Sequence, residues 1–70
     1  MKAILNYAQF SIQCEQRNFV VSFFPMEDNY YRVRVKEYGE YDPIYHRDSV
    51  HNVNANKTTA MQIVLKIVEG

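Results

Sequence analysis

The residues of this chain that can ligate a metal or act as a nucleophile are few and widely spaced. Its one cysteine is Cys14, and its two histidines, His46 and His51, lie five positions apart with no predicted helix to bring them together. A zinc site that is recognisable from sequence needs closely spaced cysteine or histidine ligands. Cys14 falls on a predicted core-facing position, where a thiol behaves as a small apolar side chain. We therefore predict no metal site and no catalytic nucleophile.

Cofactor binding and acid–base catalysis also lack a sequence signal. Gly39 and Gly70 are the only glycines, so the chain contains no glycine-rich phosphate loop. The carboxylates that could act as acid or base lie at predicted turns or strand ends, where charge is usually solvated. They are Glu27, Asp28, Glu37, Glu40 and Asp42. The sequence thus predicts a protein that is not an enzyme and that uses no cofactor.

The strongest chemical signal is the segment 29–47, which holds five of the six tyrosines and four of the eight basic residues. In a strand, side chains alternate between two faces, so Tyr31, Val33 and Val35 would share one face. The opposite face would carry three cations between two aromatic rings, namely Tyr30, Arg32, Arg34, Lys36 and Tyr38. Such a face is either a recognition surface or an ordinary solvated face covered by long side-chain stems. The sequence leaves both interpretations open.

Protein binding is the function that this segment favours, because tyrosine and arginine are enriched where interfaces hold most of their energy. The predicted partner-binding residues are Tyr30, Arg32, Arg34, Lys36, Tyr38, Glu40, Tyr41, Asp42 and Tyr45, with Glu40 and Asp42 as a charged rim. In size, neutral charge and lack of cofactor motifs, the chain is similar to the compact inhibitors that phages and mobile elements use against host machinery, including anti-CRISPR proteins. That similarity concerns size and style, and it predicts a non-enzymatic inhibitor of a host protein complex.

Nucleic-acid binding through the same face is the alternative, since single-strand binders combine aromatic rings on a sheet with a cationic track. Against it, eight basic residues balance eight acidic ones, and the acids Glu37, Glu40 and Asp42 near the predicted face would repel phosphate. If residues 2–8 form a helix, the chain would run as a helix, three strands and a C-terminal helix preceded by Asn56, Lys57 and Thr58. That order resembles the topology of a double-stranded-RNA-binding domain. Those domains carry a lysine cluster where this chain has Lys57 alone, so we assign no family.

Hydrophobic patterning predicts a series of antiparallel strands. We expect a strand from about residue 8 to 14, a loop over 15–18, strands over 19–24 and 30–38, and a short edge strand over 44–50. The edge strand is expected to turn His46 and Asp48 outward. Residues 2–8 are compatible with a short helix or with the first half of a longer strand.

The C-terminal segment 58–69 is compatible with a helix or a strand, and we favour the helix. Thr58, Gln62, Lys66 and Glu69 recur at spacings of four and three, as they would along one side of a helix. The predicted fold class is therefore α+β, with residues 1–70 forming a single domain. Its architecture is a three- to four-stranded antiparallel β-meander with a C-terminal α-helix packed on one face, where it covers Phe10, Ile12, Val33 and Val35.

The predicted helix carries more apolar surface than a small sheet needs. This excess indicates either a homodimer through helix 58–69 or packing against the N-terminal segment and the region 44–50. The single cysteine favours a reducing, cytoplasmic location. No apolar stretch approaches the roughly 20 residues that span a bilayer, so we predict no membrane partner.

Overall fold

The computed structural model describes residues 7–28, 30–46 and 48–70. In this part of the chain, the strands are β1 (Ala8–Cys14), β2 (Arg17–Pro25), β3 (Tyr31–Tyr38), β4 (Ile44–Tyr45) and β5 (Ser49–His51), and the helix is α1 (Lys57–Glu69). All neighbouring strands are antiparallel, in the order β1-β2-β3, and both β4 and β5 pair with the far side of β3. The predicted fold class is confirmed. Most of the ambiguous segment 2–8 lies outside the described residues.

The turn between β1 and β2 is tighter than the sequence predicts. Glu15 and Gln16 have φ angles of 51° and 66°, and Cys14 pairs directly with Arg17. Two consecutive positive φ values in a two-residue connection are those of a type I′ hairpin turn. The predicted four-residue loop over 15–18 is therefore wrong, because its last two residues already belong to β2. A Glu-Gln pair lacks the Asn-Gly signature that normally identifies this turn.

The core lies on one face of the sheet, which we call the inner face. Alternate residues of β1, β2 and β3 are buried there, and α1 adds two more. The fully or nearly buried apolar side chains are Ile12, Phe19, Val21, Phe23, Val33, Val35, Ala60 and Val64. Phe10 is partly buried and packs against this cluster. Three of the four residues predicted to lie under the helix, Ile12, Val33 and Val35, belong to the core, and the fourth, Phe10, lies at its margin.

Local signals explain why residues 57–69 form a helix. The Asn56 side-chain oxygen accepts a hydrogen bond of 2.9 Å from the Thr59 N–H, which satisfies one of the unpaired donors of the first turn. At the other end, the Gly70 N–H donates to the Ile67 carbonyl at 3.3 Å, and Gly70 has a φ of 103°. This is the left-handed conformation that glycine adopts without strain. The helical interpretation of this segment is confirmed.

The helix lies mainly over β1 and does not cover the whole inner face. A cleft of about 500 Å³ remains between α1 and the β3 side of the sheet. Its lining includes Val33 and Val35 from the sheet and Ile63, Lys66 and Ile67 from the helix.

The region 44–50 forms two short strands where one is predicted. Ile44 and Glu37 pair on the inner face, whereas Val50 pairs with Arg32 on the outer face, so the alternation of side chains is interrupted between the two strands. His46 lies before this interruption, two residues after Ile44, and its N–H donates to the Val35 carbonyl at 2.9 Å, so it faces inward with them. Its Nε2 lies 3.2 Å from Glu37 Oε1. The prediction that His46 faces outward is wrong. Asp48 is exposed, as predicted.

The only helix in residues 7–28, 30–46 and 48–70 is too short to cross a membrane.

Candidate functional site

The outer face of β3 carries the cations that sequence alternation predicts. Arg32, Arg34 and Lys36 point away from the core, and the β2 residues that pair with them are Phe24, Ser22 and Val20 respectively. Aromatic side chains from three other parts of the described chain join them on this face. We call the resulting group the cation–aromatic patch; it comprises Tyr7, Phe24, Arg34, Lys36, Tyr38 and Tyr45.

Lys36 lies between two tyrosine rings. Its Nζ is 5.2 Å from the centroid of Tyr38 and 5.4 Å from that of Tyr45, which β4 brings beside it by pairing directly with Lys36. Both distances are within the roughly 6 Å over which a cation is attracted to a ring face. Tyr38, and secondarily Tyr45, raises the pKa of Lys36 above its ordinary value. The ammonium group is therefore charged and held in place by aromatic contacts.

Arg34 makes a second contact of this kind, with Phe24. The guanidinium carbon is 5.4 Å from the Phe24 centroid, and Phe24 in turn stacks on Tyr7 with centroids 5.2 Å apart and an interplanar angle of 23°. Asp48 also approaches Arg34, at 3.4 Å, with the two side chains 47% and 36% exposed. An ion pair this exposed typically contributes about 0–1 kcal/mol. The pair therefore leaves Arg34 largely free to bind another group.

The patch surrounds a shallow depression of about 260 Å³. Its floor is formed by Val20 and by Ser22, whose hydroxyl accepts a 3.1 Å hydrogen bond from the Gln9 side chain across the β1–β2 pair. Rings and cations with restricted positions lose less entropy when they bind than free side chains do. The surface is suited to a partner that presents carboxylates beside apolar groups.

The structure brings together some of the predicted site residues and separates others. Arg34, Lys36, Tyr38 and Tyr45 line the depression. Arg32 is exposed on the same face, beside Phe24 in the strand register. The remaining predicted residues lie outside the strands: Tyr30 is exposed just before β3, and Glu40, Tyr41 and Asp42 are exposed in the loop between β3 and β4. Tyr41 is 90% exposed.

Two members of the patch were missed by sequence reasoning. Phe24 belongs to a nearly continuous apolar run that predicts burial on both faces, yet strict alternation from Phe19 and Phe23 would have placed it on the outer face. Its partial burial in the structure agrees with that alternation. Tyr7 carries no local signal, because its role depends on the pairing of Ala8 with Phe23, which sets β1 beside the end of β2.

A second charged cluster, on the inner face, has a different character. Arg17 makes two hydrogen bonds to the carboxylate of Glu37, at 2.7 and 2.8 Å, and His46 makes a third contact with it at 3.2 Å. The hydrogen bond from Arg17, reinforced by His46 and opposed by burial, lowers the pKa of Glu37 to about 2. Glu37 is only 8% exposed, so the prediction that it carries a solvated charge near the outer face is wrong. It shares the inner face with Val33 and Val35.

In the residues that the structure describes, the groups usually used for metal binding are dispersed, whereas the Ser49 hydroxyl lies within hydrogen-bonding distance of His51 Nε2. Within the described part of the chain, no three histidine, cysteine or acidic residues are close enough together to hold a metal ion. Cys14 is partly buried and packs against the core. Comparison of the chain with protein-family models, with curated proteins and with solved structures found no match in any of the three.

Proposed function

We propose that this chain is a non-enzymatic binding protein that docks on another protein through the cation–aromatic patch. By analogy with compact phage-type inhibitors, it would act by covering a working surface of a host protein complex. The observation that most supports this proposal is the environment of Lys36. Its charge rests against two aromatic rings, at 5.2 and 5.4 Å, and remains available to a partner's carboxylate.

A protein surface fits the patch better than a phosphate backbone does. Asp48 lies 3.4 Å from Arg34, and the chain as a whole has no net charge, so a polyanion gains little long-range attraction. Tyrosine and arginine are enriched among the few residues that dominate protein interfaces. A stable interface buries about 800 Å² on each partner, an area that one face of a small sheet can supply.

Affinity capture with matched variants tests the proposal. The patch variant combines Lys36→Ala, Tyr38→Ala and Tyr45→Ala, and the control combines three exposed residues away from the patch, Met26→Ala, Lys57→Ala and Gln62→Ala. Lysate is passed over each immobilised protein, once with and once without nuclease treatment. We expect the unaltered chain and the control to retain the same partner, and the patch variant to bind it at least about 30-fold more weakly, as loss of a single hot spot of 2 kcal/mol would give.

The same experiment separates the alternatives. A partner that the patch variant retains with full affinity would show that another surface binds it. If nuclease removes the retained material, and if single-stranded oligonucleotides bind with an affinity that falls steeply with salt, the nucleic-acid function is correct and the protein-binding proposal is wrong. Inhibition is then tested on the captured complex, whose activity should fall with the unaltered chain and not with the patch variant.

A further inference from the structure

The free edge of β1 is equipped to pair with another strand. β1 is the end strand of the sheet, and in the described part of the chain only β2 pairs with it. Cys14 and Arg17 flank a two-residue turn and so form a hydrogen-bonded pair. Because backbone groups alternate in direction along a strand, Gln9, Ser11 and Gln13 direct their N–H and C=O groups away from β2. These groups form a regular row along the open edge.

This edge lacks the features that usually prevent strand pairing. Proteins protect exposed edges with charged side chains, proline, bulges or very short strands. β1 runs for seven residues, AQFSIQC, with neither a charge nor a proline, and it pairs with β2 in an unbroken register from Ala8 to Cys14. The opposite side of the sheet is different, because β4 has two residues and β5 has three.

The residue types of β1 are symmetric about Ser11. We propose that β1 pairs with β1 of a second copy of this chain, antiparallel and centred on Ser11, to form a two-fold symmetric dimer with one continuous sheet. In this register Ser11 meets its own equivalent, Gln9 meets Gln13, Phe10 meets Ile12, and Ala8 meets Cys14. Polar side chains then face polar ones and apolar side chains face apolar ones at every position. The absence of charge means that two identical strands meet without repulsion.

The helix supplies a second part of the same surface. Thr59, Ile63 and Ile67 face the cleft over β3. Since an α-helix turns by 100° per residue, Met61 and Leu65 lie on the other flank of α1, toward the β1 edge. They are 46% and 43% exposed despite being large and apolar. A two-fold axis midway between the two Ser11 residues, perpendicular to the sheet, puts both helices on the same face with these side chains directed toward each other. One second copy of the chain would thus both pair with the β1 edge and cover the exposed apolar side chains of α1.

This dimer does not depend on the proposed function. The cation–aromatic patch lies on the outer face, whereas the dimer would use the β1 edge and one flank of α1. Loss of partner capture in the patch variant would therefore leave the dimer intact.

A disulfide tests the register. In the proposed pairing, position 8 and Cys14 of the other copy form a non-hydrogen-bonded pair, for which the Cα atoms are about 4.5 Å apart, within the range that a disulfide bridges. Oxidised Ala8→Cys protein should form a covalent dimer in which position 8 is joined to Cys14 of the second copy, as mapped by mass spectrometry. Gln9→Cys is the matched control, because its side chain lies on the opposite face from Cys14 and should not cross-link. Equal cross-linking by both variants would overturn the register.

Charge at the symmetry axis tests the dimer itself. Sedimentation equilibrium should give twice the monomer mass of 8.3 kDa for the unaltered chain. Ser11 is exposed, so Ser11→Lys should fold, as circular dichroism checks, but it should be monomeric because two ammonium groups would meet at the axis. Asn18→Lys, on the neighbouring strand, should remain dimeric. Mixing Ser11→Lys with Ser11→Glu should restore a dimer. A monomeric mass for the unaltered chain, or failure of the mixture to dimerise, would overturn the proposal.

Discussion

Neighbouring residues of β3 place opposite charges in two contrasting environments. Glu37 lies on the inner face, where Arg17 and His46 occupy both carboxylate oxygens at 2.7 to 3.2 Å. Lys36, one residue earlier, lies on the outer face against the rings of Tyr38 and Tyr45. The buried charge is matched within the protein, and the exposed one is held without being neutralised. Strand alternation thus separates a charge that is paired within the fold from a charge that stays exposed on the surface.

The two faces should differ most in how much stability is lost when one of two adjacent phenylalanines is replaced by alanine. Phe23 is fully buried on the inner face and makes edge contacts with the rings of Phe10 and Tyr31. Phe23→Ala should lower the free energy of unfolding by about 3–5 kcal/mol, enough to unfold much of a domain this small. Phe24→Ala, on the outer face, should cost about 1 kcal/mol, because Phe24 remains partly exposed. Urea denaturation measures both, and equal losses would contradict the assignment of the faces.

An intermediate effect is expected from the inner charge cluster. Glu37→Gln should lower the free energy of unfolding by roughly 1–2 kcal/mol, since Arg17 is 40% exposed and stays hydrated after its partner is lost. The dependence of the free energy of unfolding on pH should also change in the acid range. The pKa of Glu37 is lowered from 4.5 to about 2 on folding, so its contribution is fully present above pH 4.5 and is lost as the pH falls toward 2.

The measurement is the free energy of unfolding between pH 2 and pH 6 for both proteins. The unaltered chain should lose stability more steeply below pH 4.5 than Glu37→Gln does. Parallel acid curves would mean that the ion pair does not form in solution.

The smallest effect should come from the ion pair on the outer face. Asp48 contacts Arg34 at 3.4 Å, and both side chains are substantially exposed. Asp48→Asn should change the free energy of unfolding by no more than about 0.5 kcal/mol. By removing the carboxylate that Asp48 directs at Arg34, it should strengthen binding of the proposed acidic partner to the cation–aromatic patch. If Asp48→Asn lost as much stability as Glu37→Gln, the outer and inner ion pairs would contribute equally to the free energy of unfolding, which would contradict the contrast between the two faces.

Period-two alternation and turn residues predict most of this fold, because the conformation of a short segment depends directly on its own residue types. The alternation in β3, the predicted strand over 19–24 and the polar positions of the helix identify three of the main elements. The turn at Glu15–Gln16 was placed correctly but predicted two residues too long, since neither residue has a specific preference for positive φ. The side-chain reversal between β4 and β5 was also missed, because it depends on how two short segments pair with β3.

The candidate site was predicted less completely than the fold. Alternation alone brings Arg34, Lys36 and Tyr38 to one face. By contrast, the contacts of Tyr7 with Phe24 and of Arg17 with Glu37 join residues 17 and 20 positions apart in sequence, and they require the registers of both hairpins. Sequence spacing does not determine those registers when a turn length is mistaken. The inner-face position of Glu37, by contrast, could have been predicted without any register. Glu37 follows Val33 and Val35 at the same spacing of two residues, which places all three on one face.

The unequal edges of the sheet have a consequence for how far an assembly can grow. The edge formed by β4 and β5 is interrupted and offers no row of free backbone groups as long as that of β1. Pairing of two β1 strands would use up the long edge of each copy and leave only interrupted edges outside. Addition of strands would therefore stop at two chains, which would give a closed particle of fixed size and disfavour fibres.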